Sequence, residues 1–416
     1  MKKNFYTRST CRLCNSSSLK MIYKFPDCPP VDNYRFEQDP EINYPSFPMD
    51  LYQCSDCGHA QLLDVVDPKI LFGSYIYTSS SSPDLDIHFD SYAQKVLDYV
   101  KLSPDDLIID IGSNDGLFLS KFKNRGYKVL GIDASEYAAR IATTQNSIPT
   151  VVSFLDLKLA KTVVESHGFA KVVTANNVFS HSDDLRGFAE AAKALLSPEG
   201  VFIFEVSYLM DLVRKKVVDY VYHEHLAHHS IKPFKQFFES LGMKLIDVEL
   251  VPTKGGSIRC YAAHANSSWE INQSVARCIE NEISAGLYDS NTYQSLKLNI
   301  DKIGSEVGDI LSKIIKDGGT IASYGASATS TVLNYLFDIN KYFSFVVDDN
   351  ASRQGRLSPG VRLVVKSKDA LLAENPTAVF ISAWRFADMI IERNAAYIDQ
   401  GGIFIVPLPE IRVVKK

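Results

Sequence analysis

The sequence has no apolar run approaching the length that spans a bilayer. Its opening residues, MKKNFYTRST, lack the apolar stretch that follows the basic residues of a secretory signal. A cytoplasmic chain with no membrane partner is therefore expected. Basic charge is not in excess either: 44 Lys and Arg face 49 Asp and Glu, a formal net charge of −5. Composition implies no basic face, so nucleic acid is not an expected partner. Cysteine is scarce, and seven is an odd number for a disulfide framework. Histidine is nearly as scarce, nine in 416 residues, yet four fall within YHEHLAHHS, 222 to 230.

What is present reads as an ordinary globular protein, 46% hydrophobic and 22% charged, long enough for two or three domains. Four cysteines stand in two C-x-x-C pairs, Cys11–Cys14 and Cys54–Cys57. In a reducing compartment such pairs indicate a metal rather than disulfides. Four thiolates close a tetrahedral zinc site and leave no position for chemistry, so this zinc is expected to hold the fold. Cys28, Cys260 and Cys278 are not expected ligands.

A second region begins near residue 74. LIIDIGSNDGLFLSKFKNRGYKVLGIDAS reads as strand, glycine turn, helix, strand. A dinucleotide fold would want G-x-G-x-x-G at the turn, where a pyrophosphate approaches the backbone. Here the turn is Asp110-Ile111-Gly112-Ser113-Asn114-Asp115-Gly116, with two carboxylates that would repel an anion. A cationic sulfonium suits it better, so D-x-G-x-x-x-G favours S-adenosylmethionine, with Asp133 on the ribose hydroxyls. Asn176, Asn177 and His181 follow a later strand, at the end where open parallel sheets bind ligands. The third region, from 251, contains the turn Tyr324-Gly325-Ala326-Ser327-Ala328-Thr329 before a helix and several apolar strands. It reads as a second doubly wound α/β unit whose turn can receive a phosphate on free N–H groups. A helical tract from about 270 to 316 precedes it.

The histidines allow two readings, metal binding or proton transfer. His223-Glu224-His225 has the wrong interval for the H-E-x-x-H zinc motif, although His225 and His229 are four apart.

Taken in order, CRLC, CSDC, DIGSNDG, NNVFSH, YHEHL, GGSIR, YGAS and VDDNASRQGRLSPG resemble the nucleotide-sugar C-methyltransferases of deoxysugar biosynthesis over nearly the whole chain. The resemblance implies an α/β protein with a zinc-binding module (1–73), a central Rossmann-like class I methyltransferase domain (74–250) and a C-terminal Rossmann-like nucleotide-sugar domain (251–416). It implies methyl transfer from S-adenosylmethionine to C-3 of a 4-keto deoxysugar on a nucleoside diphosphate, dTDP above all. The donor site would comprise Asp110, Gly112, Ser113, Asn114, Gly116, Leu117, Asp133, Ala134, Ser135, Asn176 and Asn177. The acceptor would meet Lys254, Gly256, Ser257, Arg259, Tyr324, Gly325, Ser327 and Arg353. His225 is the expected base and His181 the second candidate. Tyr222 would donate a hydrogen bond, Glu224 would orient an imidazole or bind a hydroxyl, and Tyr75 or Tyr77 would reach the site. Proton transfer thus becomes the preferred reading of the histidines. The chain departs from the pattern at Lys254, where His is frequent, and at His228 and His229, where aromatics are frequent. The expected assembly is a monomer or small homo-oligomer. The alternatives are an O- or N-methyltransferase, an NAD-dependent oxidoreductase of sugar nucleotides, or a zinc-stabilised scaffold without activity.

Overall fold

The computed structural model describes residues 4–39, 45–72, 78–81 and 83–416. Tyr75 and Tyr77 lie outside the described residues. No helix among the described residues is long and apolar enough to cross a membrane.

Between the two cysteine pairs the chain turns back on itself. Strands Leu19–Tyr23, Leu51–Cys54 and Ala60–Leu62 form an antiparallel sheet, so the long spacing between the pairs contains a hairpin-like return. A fourth strand joins this sheet from far along the chain. Ala227–His228 pairs antiparallel with Gln61 and Ala60, and Leu62 N–H donates to the Leu226 carbonyl at 3.0 Å. The histidine-rich segment is thereby an edge of the zinc module's sheet.

Leu107–Ile111 is an unbroken apolar run apart from Asp110, and all five residues are buried, as a central parallel strand requires. It sits inside a seven-stranded sheet. The spatial order is Met243–Val251, Ser257–His264, Leu196–Ser207, Ala170–Asn176, Leu107–Ile111, Lys128–Asp133, Thr150–Val152. Ser257–His264 runs antiparallel to both of its neighbours. Helix Pro83–Val100 covers one face, where Tyr92 and Phe118 stack with ring centroids 4.7 Å apart. Burying each such side chain contributes roughly 1.5–3 kcal/mol. Order reverses between Leu107–Ile111 and Ala170–Asn176, which opens a crevice at their carboxyl ends.

The expected boundary at 250 falls inside this sheet. Ser257–His264 belongs to it: this buried strand pairs with Leu196–Ser207 and carries Met243–Val251 at the sheet edge.

The remaining strands form a six-stranded sheet in the order Val365–Lys366, Phe345–Val347, Ile321–Tyr324, Ala378–Ile381, Ile403–Val406, Arg412–Val414. The first five are parallel and the last is antiparallel. The expected single helical tract is two helices, Gln273–Ser284 and Ser290–Lys316. Gly286 breaks it with φ +67°, a backbone angle that ends a helix, and the Asp289 side chain caps the second helix by accepting from Asn291 N–H.

Candidate active site

The four thiol sulfurs of Cys11, Cys14, Cys54 and Cys57 all lie within 4.8 Å of one another. Cys11 to Cys57 and Cys14 to Cys54 are each 3.6 Å. Zinc–sulfur bonds of about 2.3 Å in a tetrahedron give sulfur–sulfur edges of about 3.8 Å. The donor set therefore fits zinc as it stands. Gly58 (φ +87°) lets the chain turn, and His59 N–H reaches Cys57 Sγ at 3.5 Å. Cys28 is buried and stands outside the set.

The second knuckle residue extends beyond the zinc. Arg12, whose side chain is fully buried, donates to the Leu62 carbonyl and to Asp183, two residues past His181. Gln61 accepts from Arg12 N–H at 2.9 Å and donates to the Thr10 carbonyl at 3.2 Å. The knuckle is thus locked to the strand that pairs with Ala227–His228.

The glycine turn after Leu107–Ile111 is shaped for a ligand. At Gly112 φ is +69°, and a Cβ there would stand 2.2 Å from Val178 Cγ2. Backbone N–H groups of Asn114 and Ser135 donate to the two oxygens of Asp133 at 2.8 and 2.7 Å. Each carboxylate oxygen accepts more than one bond, so both can still take a ribose hydroxyl. Burial raises the Asp133 pKa. Asp110 is buried, accepts from Thr174 Oγ1 at 2.5 Å, and is pushed up to about 7, mainly by burial. The Asn176 side-chain oxygen is buried without a hydrogen-bond partner among the described residues. Asn177 takes φ +57° and donates its N–H to the Glu205 carbonyl. Gly116 precedes the helix that Leu117 starts, and Ala134 lies between Asp133 and Ser135. The cradle, the buried oxygen and the carboxylate pair fit S-adenosylmethionine.

One residue that the sequence reading passed over adjoins this cradle. Ser153 N–H donates to the Asp133 carbonyl at 3.0 Å, and the next residue, Phe154, is 74% exposed. An aromatic face there can stack on a purine. Its signal was an aromatic two residues past the short strand Thr150–Val152.

The histidines divide into two groups. His181 and His225 stack with centroids 5.2 Å apart and planes 20° apart, and the Tyr222 ring lies 4.0 Å from His225. His225 Nδ1 is 2.8 Å from the Tyr220 carbonyl. A carbonyl can only accept, so Nδ1 carries the hydrogen and Nε2 keeps its lone pair. Burial, the neighbouring His181 and Lys254 hold His225 well below its ordinary pKa; burial and Lys254 bring His181 to about 4. Both rings are therefore neutral near pH 7. The second group, His223, His228 and His229, is buried; His229 stacks between Phe179 and Phe234 with centroids at 5.6 and 4.5 Å. Among the described residues the only cluster of three or more metal-ligating groups is the cysteine set, so the metal reading of YHEHLAHHS has no geometry behind it.

Among the described residues no imidazole is bonded to Glu224: its carboxyl lies near Asp32 and Cys28, burial raises its pKa to about 8, and Oε2 has no hydrogen-bond partner there. The acceptor residues are scattered likewise. Arg259 is spent on Glu205 (2.9 Å) and Glu249 (2.8 Å) within the central sheet and lies 3.5 Å over the Tyr92 ring. Ser257 is buried at the start of the same strand, and Gly256 (φ +136°) packs on Asp211. Lys254 stands exposed on the adjoining turn with φ +54°. Tyr324 donates to Asp349 at 2.9 Å, and Ser327 caps helix Ala328–Leu336. Gly325 (φ +119°) is pressed against Ala383 and Ser330. Arg353 pairs with Asp32 of the first module at 2.5 Å and covers Tyr34.

Comparison with known proteins matches three family models in series: a zinc binding domain over 11–72, a methyltransferase domain over 87–248 and a C-methyltransferase C-terminal domain over 252–409. The C-methyltransferase NovU of Streptomyces niveus is 28% identical over 405 residues, covering 97% of this chain and 96% of that one. Among solved structures, magnesium protoporphyrin IX methyltransferase from Synechocystis PCC 6803 is 18% identical, over 43% of this chain and 83% of its own, with a TM-score of 0.34. A protein from Pyrococcus horikoshii OT3 is 15% identical, over 46% and 97%, with a TM-score of 0.36.

Proposed function

Because the chain belongs to the S-adenosylmethionine-dependent C-methyltransferases that join zinc-binding, methyltransferase and C-methyltransferase C-terminal domains, we propose that its acceptor is a nucleotide-linked 4-keto deoxysugar, dTDP-bound and methylated at C-3. S-adenosylmethionine, when bound, supplies an electrophilic methyl carbon. The task left to the protein is to make a sugar carbon nucleophilic. A hydrogen beside a ketone is removable because the electron pair left behind spreads onto oxygen as an enolate. His225 Nε2 takes that proton and becomes imidazolium.

The observation that carries this reading is the bond from His225 Nδ1–H to the Tyr220 carbonyl, which leaves Nε2 as the acceptor. A ring held below its ordinary pKa is in the base form at neutral pH. Lys254 adds positive charge beside the pair, which favours an enolate over a neutral ketone. Tyr222, against the imidazole, is suited to donate to the enolate oxygen. The turn Gly325–Ser327 and the start of helix Ala328–Leu336 suit the diphosphate. Glu224, buried with an unused oxygen, suits a sugar hydroxyl.

The test is turnover of dTDP-4-keto-6-deoxyglucose-type sugars in deuterated water. Wild-type protein should exchange the hydrogen beside the ketone and methylate that carbon. His225→Asn should lose both by about 100-fold or more while binding S-adenosylmethionine normally. Methylation of oxygen without exchange would refute the carbon reading. A dead His181→Asn beside an active His225→Asn would transfer the base role to His181.

A further inference from the structure

Asp219 is fully buried in the short turn Val218–Tyr220, on the central module. It receives Trp384 Nε1–H at 3.0 Å, and its two oxygens lie 2.9 and 2.8 Å from Arg385 Nη1. Both partners come from the C-terminal module. The other arm of the guanidinium, Nη2, donates to Thr329 Oγ1 at 3.0 Å. Thr329 lies in the first turn of Ala328–Leu336, next to the turn we assign to the diphosphate. The guanidinium carbon stands 4.8 Å over the Tyr220 ring. Its stem packs on the Lys254 turn, where a Cβ at Gly255 would be 3.4 Å from Arg385 Cδ.

Tyr220 is also the residue whose carbonyl takes His225 Nδ1–H. A neutral imidazole has two tautomers, and only the Nδ1–H form offers Nε2 to a substrate proton. Whatever fixes this carbonyl therefore selects the base-competent form of the ring.

We propose that Arg385 is a positioning residue: gripping Asp219 and Tyr220 from the C-terminal module, it holds the Tyr220 carbonyl on His225 Nδ1 and ties the acceptor-side turn at Thr329 to the base. The inference rests on the reading of His225 as base. Arginine suits the role because its planar fork serves a carboxylate on one arm and a hydroxyl on the other. Lysine keeps the charge but cannot span both.

The test uses the full zinc-loaded chain with ¹⁵N-labelled histidine. Long-range ¹H–¹⁵N spectra separate Nδ1–H from Nε2–H rings, and His225→Asn assigns the signal. Two variants are compared with wild type. Arg385→Lys keeps a cation beside Asp219, and Arg385→Met with Asp219→Asn removes the buried pair together, so that no lone charge is stranded. In both, kcat should fall about 10- to 100-fold, with unchanged affinity for S-adenosylmethionine and with Nε2–H signal appearing at His225. If the double variant does not fold, Arg385→Lys carries the test. An unchanged His225 tautomer, or an effect confined to the acceptor KM, overturns the inference. An active His225→Asn with an altered tautomer in Arg385→Lys would instead defeat the base reading and leave the positioning intact.

Discussion

At the scale of single residues, the donor cradle rests on two demands that only particular side chains meet. Gly112 has φ +69° and no space for a Cβ beside Val178. Gly112→Ala should therefore distort the cradle and weaken donor binding, read by calorimetry. Asp133 organises two backbone N–H groups and has capacity left for hydroxyls. Charged hydrogen bonds contribute about 1.5–3 kcal/mol each. Asp133→Ala should raise the Kd for S-adenosylmethionine roughly 10- to 100-fold while leaving the acceptor KM alone. The turn and the strand end that carry them were legible because the constraint is local: a glycine turn and the end of the next strand lie within about twenty residues. The pairing of Arg259 was not legible, because an arginine in GGSIR looks the same whether or not it bonds, as here, Glu205 and Glu249 across neighbouring strands. Arg385 carried no signal, since its partners Asp219 and Thr329 are 166 and 56 positions away.

At the scale of elements, apolar runs announced the strands, but not which of them would pair. Ser257–His264 follows the glycines that open the third region, yet it inserts between two strands of the central sheet. The two-residue strand Ala227–His228 is too short to leave any periodic trace. Its link to the zinc knuckle runs through Gln61, which is fully buried and bonds Thr10 and Arg12. Gln61→Leu would leave the buried Arg12 N–H unsatisfied, at about 1–3 kcal/mol, while the Thr10 carbonyl keeps its bond from Arg8 Nε. A lower melting temperature is expected, with a fall in kcat larger than any change in donor Kd. Equal melting curves would show that the knuckle and the strand are independent.

For the whole molecule, acid should act through the buried imidazoles. His181, His223 and His228 titrate near about 4 in the folded chain, chiefly through burial, against about 6.5 when unfolded. A lowered folded pKa means that the unfolded chain binds more protons between these values, so stability rises with pH across that window. The stabilisation is present above pH 6.5 and is lost as pH falls toward 4. Each of these histidines should lower the unfolding free energy by roughly 1 kcal/mol from pH 7 to 5.5. Asp110 and Glu224, which burial raises to about 7 and about 8, oppose this in the same window. Urea unfolding of wild type against a His228→Gln variant reads the histidine share, with zinc retention checked by metal analysis because thiolates also take up protons. Three successive modules could be read from motif order. Their interlocking could not, because it is made by Arg12 with Asp183, Arg353 with Asp32 and Arg385 with Asp219, pairs joined only in space.

The edge strand that Ala227–His228 adds to the zinc module's sheet also limits how such proteins can be recombined. A chimaera taking its first sixty residues from one parent and its remainder from another would splice through a shared sheet, with one parent's template aligning the other's imidazoles. Interchange that respects this register would have to move both stretches together, even though residues 63–226 lie between them.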